Sequence, residues 1–325
     1  MPASGRLGLP LRGLVLTAGH GTRLRPLTDV RAKAAVPVNG EPLARRVVRW
    51  LAGQGIRDLI LNLHHKPETI AAVIGDGSDL GVRVRYSWEQ PVLGSAGGPR
   101  RALPLLIDGG ADTFLLVNGD TLTDVDIASM VESHAASGAL VTMAVIPNPQ
   151  PDKYGGVSVA DGNMVTGFPK AGSTAESYHF IGVQVASAPA FAELPDGVPV
   201  ESVGALYPRL MKEIPGSLRA YVCGASFRDI GTPADYLDTS LALAASEGDR
   251  LTGSRASIAR SARLDRTVLW DDVVVGDRAS LTECIVADGV RIPDNACLER
   301  CAIIRADRAP RHGEQDLDGI LLRRF

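Results

Sequence analysis

The hydrophobic positions follow two alternating patterns over roughly the first 250 residues. Short apolar runs predict buried strands at Gly13–Ala18, Asp58–His65, Val82–Glu89, Thr113–Asp120 and Ala139–Ile146. Apolar residues three or four positions apart predict helices near Leu43–Leu51, Pro67–Gly75, Gly98–Ile107, Asp124–Ala136 and Asp235–Ala245. Because strands and helices alternate, the pattern predicts an α/β fold with a doubly wound, mostly parallel sheet, a Rossmann-like arrangement.

The pattern changes between Pro147 and about Ala225. Short β runs (GGVSVA, FIGVQVA and LRAYVC) are separated by prolines, and one helix is predicted near Val203–Ile214. We interpret this stretch as an α+β insertion that lies over the sheet.

The last part of the chain contains an internal repeat of 17 residues. Matched apolar positions recur in three series, which are Ile258, Val275 and Ile292, then Leu264, Leu281 and Leu298, then Leu269, Val286 and Ile303. Stacked coils that bury such rows on one another are typical of a parallel β-helix. The patterns therefore predict an α/β domain over residues 1–250, a short left-handed parallel β-helix of three coils over 251–305 and a tail over 306–325.

Composition adds exclusions. With 34 basic and 37 acidic residues the formal charge is −3, which favours neither a nucleic acid nor an anionic membrane as partner. No apolar run is long enough to span a membrane, and the first ten residues lack a signal-peptide hydrophobic region. The four cysteines include no C-x-x-C pair, so we expect a reducing, cytoplasmic setting without zinc. Cys284 and Cys301, one repeat apart, are expected to be stacked and reduced rather than joined.

A basic, glycine-containing loop follows the first predicted strand. Its text is LTAGHGTRLRPLTD, Leu16–Asp29, and Arg31 and Lys33 follow closely. Bare backbone N–H groups beside fixed guanidinium groups suit a polyphosphate. The spacing matches neither the P-loop nor the dinucleotide fingerprint.

This loop resembles the signature of the sugar-1-phosphate nucleotidyltransferases. The matching text is Gly19-x-Gly21-Thr22-Arg23-x-x-Pro26-x-Thr28, followed by Lys33 and Pro37, with Ala32 where the family usually has proline. The segment from Glu89 to Gly98 is similar to the family's E-x-x-P-L-G-T-A-G-G, with Val92 for proline and Ser95 for threonine.

Further segments carry the resemblance as far as about Ala245. Asn118-Gly119-Asp120 matches the family's G-D strand end, and Asp229-Ile230-Gly231-Thr232-Pro233 matches W-x-D-I-G-T-P with Phe227 for tryptophan. Tyr154-Gly155-Gly156 resembles Y-G-V, Phe180-Ile181-Gly182 resembles N-A-G without the asparagine, and Lys170 stands where the family has E-K-P without the flanking Glu and Pro.

The resemblance implies roles for these positions. It implies a catalytic pair, Arg23 and Lys33, and a Mg²⁺ cofactor on Asp120 and Asp229. It implies nucleotide contacts from Ala18, Gly19, Gly21, Thr22, Glu89, Gly94, Ser95 and Gly119. It implies sugar-phosphate contacts from Gly156, Lys170 and Gly182.

Structural readings of the same residues stay open. Asp120 and Asp229 could each cap the helix that follows. Glu89 could fix its loop without touching nucleotide, and Lys170 could be an ordinary solvated lysine.

The implied reaction joins a nucleoside triphosphate and a sugar 1-phosphate, releases pyrophosphate and forms a nucleotide sugar. The segment LGSAGG resembles mannose-1-phosphate guanylyltransferases and muramate-1-phosphate uridylyltransferases, and the β-helix favours the former. Uridylyl or thymidylyl transfer, a non-catalytic nucleotide-sugar sensor, and transfer to a non-sugar phosphate remain alternatives. An acetyltransferase site in the β-helix is disfavoured because the coils contain no histidine and His312 lies outside them. A homo-oligomer is expected.

Overall fold

The structure is a computed structural model that describes residues 11–174 and 176–325. The chain forms two compact units. Of the described residues, the first unit contains 11–19, Val47–Pro67 and Ile74–Arg228, and the second contains His20–Arg46, Glu68–Val73 and Asp229–Phe325. The expectation about the first ten residues lies outside the described part of the chain. The domain boundaries at 250 and 305 stay a prediction.

A nine-stranded sheet forms the centre of the first unit. Its strands are β1 (Arg12–Leu16), β2 (Asp58–Leu63), β3 (Arg83–Trp88), β4 (Thr113–Asn118), β5 (Val141–Pro147), β6 (Ser158–Ala160), β7 (Met164–Gly167), β8 (Tyr178–Ser187) and β9 (Leu218–Val222). They are ordered β3-β2-β1-β4-β8-β5-β9-β7-β6 across the sheet.

The strands β3, β2, β1 and β4 are mutually parallel, with Leu14 opposite both Ile60 and Leu116. Burial is nearly unbroken in β1, β2 and β4, as is typical of a parallel sheet covered on both faces. Parallel pairing places the carboxyl ends of these strands at one edge, where α/β proteins bind ligands. The predicted α/β class is confirmed.

The predicted insertion over the sheet is wrong. Strand β8 lies between β4 and β5 and is antiparallel to both, and β9 is parallel to β5. Strands β7 and β6 extend the same sheet by antiparallel pairing. The stretch from Pro147 to Ala225 therefore contributes strands to the sheet itself, because its short apolar runs pair with strands distant in sequence.

Seven α-helices are described, which are α1 (Leu43–Gly53), α2 (Pro67–Ile74), α3 (Gly94–Ile107), α4 (Ile127–Ser137), α5 (Pro189–Ala192), α6 (Tyr207–Glu213) and α7 (Pro233–Glu247). A π-helical turn, Ser202–Leu206, precedes α6. Helix α4 begins at the N-cap Asp126 and ends at the left-handed Gly138. Across the described residues, none of these helices is long and apolar enough to cross a membrane.

The core of the first unit joins the sheet to its helices. Leu14, Phe114 and Leu116 from the strands pack with Phe191 of α5 and Tyr207 of α6, all fully buried. The area that such side chains remove from water is the main stabilising term of this unit.

The predicted repeat is confirmed as three parallel ladders in the second unit. The first ladder joins Ser257–Ile258, Val274–Val275 and Arg291–Ile292. The second joins Arg263–Asp265, Ser280–Thr282 and Cys297–Glu299. The third joins Val268–Leu269, Ile285–Val286 and Cys301–Arg305. Ile258 pairs with Val275 and Val275 with Ile292, as the 17-residue spacing predicts. Cys284 and Cys301 are buried and free. The handedness of the β-helix stays a prediction.

A hairpin covers the last coil. Strand Ile320–Arg324 pairs antiparallel with Cys301–Arg305 and with Glu314–Leu317. Ile320 and Leu322 are buried in the same apolar cluster as Leu281 and Val286 of the coils. The tail therefore caps an otherwise open sheet edge.

The second unit also holds the basic loop. Residues Thr22–Leu24, Leu27–Asp29 and Lys33–Ala35 form single 3₁₀ turns, and Pro37–Val38 pairs with Glu41–Pro42. Asn39 Nδ2 donates to Gly248 O at the end of α7, and Arg250 N donates to Asn39 Oδ1.

Candidate active site

A buried polar network ties together the carboxyl ends of β1, β2 and β3. Thr17 N donates to Asn62 Oδ1 at 2.6 Å, and Asn62 Nδ2 donates to Glu89 Oε1 at 2.6 Å. Ala18 N also approaches Asn62 Oδ1, at 3.3 Å. The Glu89 carboxylate completes the network by accepting Leu93 N at 2.8 Å.

This network bears on the two readings of Glu89. The residue is only 3% exposed, and both carboxylate oxygens accept hydrogen bonds from the protein. The geometry favours Glu89 as the residue that fixes the turn before α3. Asn62 was missed by sequence reasoning, and the polar residue inside the apolar run DLILNL was the available signal.

The LGSAGG segment forms the tight entry to α3. Gly94 has a φ of +75°, and a Cβ there would lie 2.6 Å from Glu201 Oε1. Ser95 Oγ donates to Glu201 Oε2 at 2.7 Å and accepts Ser202 N at 2.8 Å. Glycine is thus required at Gly94 both by backbone conformation and by the close approach of Glu201.

The Asn118-Gly119-Asp120 segment follows β4 directly. Gly119 N donates to Leu16 O at 3.0 Å, and a Cβ on Gly119 would lie 2.7 Å from that oxygen. Gly182, with a φ of +77°, lies against the same segment, since a Cβ there would be 2.9 Å from Thr121 Oγ1. The structure therefore places Gly182 against the segment Asn118–Thr121 that contains Gly119 and Asp120.

Neither predicted metal ligand is an N-cap. Helix α4 is capped by Asp126, six residues after Asp120. Helix α7 is capped by Thr232, which forms a reciprocal capping box with Asp235 and is followed by Pro233. The D-I-G-T-P text thus combines a helix start with a separate aspartate, and the capping alternative for both residues is wrong.

The residues predicted to contact the sugar phosphate also include two that lie close together. Gly156 N donates to Pro169 O at 2.8 Å, next to the exposed Lys170. A Cβ on Gly156 would collide with Ser177. Gly156 and Lys170 are therefore neighbours in space.

An aromatic cluster beside this segment was not predicted. The ring of His179 lies 4.4 Å from that of Tyr154 and 4.6 Å from that of Phe227. Burial lowers the pKa of His179, so the ring is neutral at neutral pH. Tyr154 and Phe227 lie in two of the segments that resemble the family. Their presence in those segments was the sequence signal from which the aromatic cluster could have been predicted.

In the second unit, the basic loop folds around Gly21. Gly21 is left-handed, Thr28 Oγ1 donates to Gly21 O at 3.0 Å, and a Cβ on Gly21 would lie 3.1 Å from Lys33 Cβ. Thr22 and Arg23 form an exposed turn, while Lys33 is half-buried. The contact accounts for glycine at this position.

Arg23 and Asp229 meet at Gly231. A Cβ on Gly231 would lie 2.7 Å from Asp229 Oδ2, 3.0 Å from Arg23 Nη1 and 3.2 Å from Asp235 Oδ2. A guanidinium and two carboxylates therefore surround a space that any larger residue would fill. Asp235 Oδ2 accepts Thr232 N and Oγ1, so Asp229 is the carboxylate of this cluster that suits Mg²⁺, an ion that prefers carboxylate oxygens.

Comparisons with known proteins agree with this arrangement. Residues 12–246 match the family model described as "Nucleotidyl transferase". The chain is 29% identical over 291 residues to the mannose-1-phosphate guanylyltransferase of Mycobacterium tuberculosis, covering 81% of this chain and 80% of the relative. It is 28% identical to the UTP–glucose-1-phosphate uridylyltransferase of Synechocystis, covering 70% of this chain and 61% of that protein.

A solved structure shows the same fold. HddC from Yersinia pseudotuberculosis, complexed with GMP-PN, superposes with a TM-score of 0.62 at 22% identity, covering 72% of this chain and 99% of HddC. The family match spans most of the chain, from β1 to the end of α7. The chain therefore belongs to the nucleotidyl transferase family, and the predicted membership of the sugar-1-phosphate nucleotidyltransferases is confirmed.

Proposed function

We propose that this protein transfers a nucleotidyl group from a nucleoside triphosphate to a sugar 1-phosphate, with GTP and mannose 1-phosphate as its preferred pair. The observation that carries the reaction class is the meeting of Arg23 and Asp229 around the bare Gly231. The guanylyl preference is supported by the relative from M. tuberculosis, which matches four-fifths of both chains.

The proposed chemistry divides between the residues of the site. An oxygen of the sugar 1-phosphate attacks the α-phosphorus, and pyrophosphate leaves in line. The N–H groups of Gly19 and Gly21 contact the β- and γ-phosphates, while Arg23 and Lys33 stabilise charge on the α-phosphate and the departing pyrophosphate. The attacking phosphate is already an anion, so no general base is required.

Asp120 and Asp229 would hold Mg²⁺, which when bound supplies charge neutralisation and alignment of the two anionic substrates. Ala18, Thr22, Gly94, Ser95 and Gly119 would contact the nucleotide, and Gly156, Lys170 and Gly182 the sugar phosphate. Glu89 would act on the nucleotide through the turn that it fixes. We also propose a cytoplasmic homo-oligomer, for which light scattering that gives a monomer mass at micromolar concentration would be contrary evidence.

The test is pyrophosphate release with Mg²⁺, crossing GTP, UTP, dTTP, CTP and ATP with α-mannose, α-glucose and N-acetylhexosamine 1-phosphates. We expect turnover with GTP and mannose 1-phosphate, reduced about 10²–10³-fold in Arg23→Ala and in Asp120→Ala. Arg255→Ala, which removes an exposed arginine from the β-helix, should stay within about twofold of the wild type.

The other outcomes separate the alternatives. Turnover with UTP or dTTP alone would replace the guanylyl preference and keep the reaction class. A folded protein that binds a nucleotide sugar and turns over no pair would replace the enzyme with a sensor.

A further inference from the structure

The loop between the two predicted catalytic side chains is held by ion pairs to the β-helix. Arg31, two residues before Lys33, donates Nε and Nη2 to the two carboxylate oxygens of Asp288, at 2.6 and 2.7 Å. The same Nη2 donates to Asp271 Oδ2 at 2.7 Å. Asp271 and Asp288 come from adjacent coils, 17 residues apart. A fork of this kind fixes the guanidinium in direction as well as in position.

A buried tryptophan also contacts the Arg31 guanidinium. The Arg31 guanidinium lies 5.5 Å from the ring centre of Trp270, which is fully buried. Trp270 Nε1 donates to the Tyr236 hydroxyl at 2.8 Å, and that hydroxyl donates to Pro37 O. Arg31 therefore contacts Trp270 directly, and Pro37, on the other side of Lys33, is linked to Trp270 through Tyr236. We call Trp270, Asp271 and Asp288 the loop clasp.

The charges of the loop clasp are mutually stabilised. Burial alone would raise the pKa of Asp271, but hydrogen bonds from Ser254 and Arg31 outweigh it and lower that pKa. Burial likewise opposes the charge on Arg31, and its hydrogen bonds to Asp288 and Asp271 raise its pKa instead. Arg31 and Asp271 are thus ionised at neutral pH and only partly exposed, at 18% and 33%.

The loop itself has little regular structure to hold it. Its 3₁₀ turns close with a few short-range backbone bonds, such as Leu24 N to Gly21 O and Ala35 N to Ala32 O. A second contact fixes its middle, because Arg308 and Arg311 of the tail both donate to Asp29, each at 2.7 Å. Tertiary ion pairs therefore supply order that the local backbone does not.

We propose that the loop clasp is a positioning device for the predicted catalytic loop, so that the β-helix holds Arg23 and Lys33 in the geometry that phosphoryl chemistry requires. The proposal rests on the proposed function for its kinetic consequence. Cations that are already in place stabilise the transition state without reorganising during the reaction. Trp270, Asp271 and Asp288 are positioning residues, since they act through Arg31 and touch no substrate.

The test compares Asp271→Asn/Asp288→Asn with Asp272→Asn. Asparagine at 271 keeps an acceptor for Ser254 and removes the acceptor for Arg31, so the substitution at this residue changes only the contact with Arg31. Asp272 is the matched control because it adjoins Asp271 and pairs with Arg255 on the open surface. Arg31→Lys, which retains one charge without the fork, is the second variant.

We expect the double variant to lose about 10–100-fold in kcat, as a displacement near 1 Å would produce. Two negative charges are removed near a site for anions, so KM for the triphosphate should fall or stay constant. A purely electrostatic role would lower KM and leave kcat unchanged, which would overturn the proposal. Arg31→Lys should lose less kcat than the double variant, and Asp272→Asn should match the wild type.

Hydrogen exchange gives a readout that does not depend on turnover. Amides between residues 22 and 36 should exchange at least about fivefold faster in the double variant, and no faster in Asp272→Asn. A wild type without turnover would defeat the proposed function, and exchange alone would then decide the clasp. Unchanged exchange in both the double variant and Arg31→Lys would overturn the clasp even if the enzyme is active.

Discussion

The two glycine-containing segments of this protein are predicted to contact the same nucleotide, yet they are held in different ways. The entry to α3, Leu93–Gly98, is fixed inside the first unit by the buried Glu89 and by Glu201. The basic loop, Thr22–Lys33, is fixed inside the second unit by partly exposed ion pairs to residues more than 200 positions away. One segment is set by a buried polar network, and the other depends on the folded β-helix.

The largest effect should come from the buried network. In Glu89→Ala, Asn62 Nδ2 and Leu93 N lose their acceptor in a buried setting, so we expect a loss of about 2–4 kcal/mol in the free energy of unfolding. Urea denaturation measures it. Glu132→Ala, at an exposed position of α4, should change the value by less than about 0.5 kcal/mol. A cost below about 1 kcal/mol for Glu89→Ala would show that this turn is not set by Glu89.

A smaller effect should distinguish the cost of a left-handed backbone from the cost of steric crowding at the entry to α3. Gly94→Ala combines a left-handed φ of +75° with a Cβ 2.8 Å from Val200 O. Gly138→Ala shares a left-handed φ of +64° and meets nothing within 4 Å. We expect about 1 kcal/mol of destabilisation for Gly138→Ala and about 2–3 kcal/mol for Gly94→Ala. Equal costs in thermal unfolding would show that Glu201 and Val200 move aside freely.

The salt dependence of amide exchange should also distinguish the basic loop from the entry to α3. At 1 M salt the screening length falls to about 3 Å, which weakens partly exposed ion pairs and leaves buried hydrogen bonds nearly intact. Amide exchange in residues 22–36 should therefore accelerate about threefold from low to high salt, while residues 93–98 stay constant. In Asp271→Asn/Asp288→Asn the salt effect should shrink. An equal acceleration in both segments would remove the contrast drawn between them.

A pH dependence is also expected at the tail. The Arg308 hydrogen bond lowers the pKa of Glu314 from its ordinary 4.5 to about 2. A carboxyl whose pKa is lower in the folded state stabilises the fold fully above about pH 4.5, and this stabilisation is lost as the pH falls towards 2. The difference in thermal midpoint between wild type and Glu314→Gln should therefore be constant above about pH 5 and vanish near pH 2. A difference that persists at pH 2 would mean that Glu314 contributes through packing instead of charge.

Sequence reasoning located the loops better than the partners of their residues. The resemblance indicated Arg23, Asp229 and Gly231, and the structure brings these three together within one unit. It assigned Glu89 to the nucleotide, whereas both oxygens of that carboxylate are engaged by Asn62 and Leu93. Glu201 and His179 were missed, because each acts through a neighbour that only folding supplies.

The strands and helices followed from the periodicity of apolar residues, and the 17-residue repeat predicted the register of the β-helix. Those features depend on local spacing, which the chain carries by itself. The place of β8 between β4 and β5, the burial of Glu89 and the pairing of Arg31 with Asp271 and Asp288 were decided by tertiary structure. They depend on contacts between residues far apart in sequence, and those contacts are chosen by the packing of whole elements.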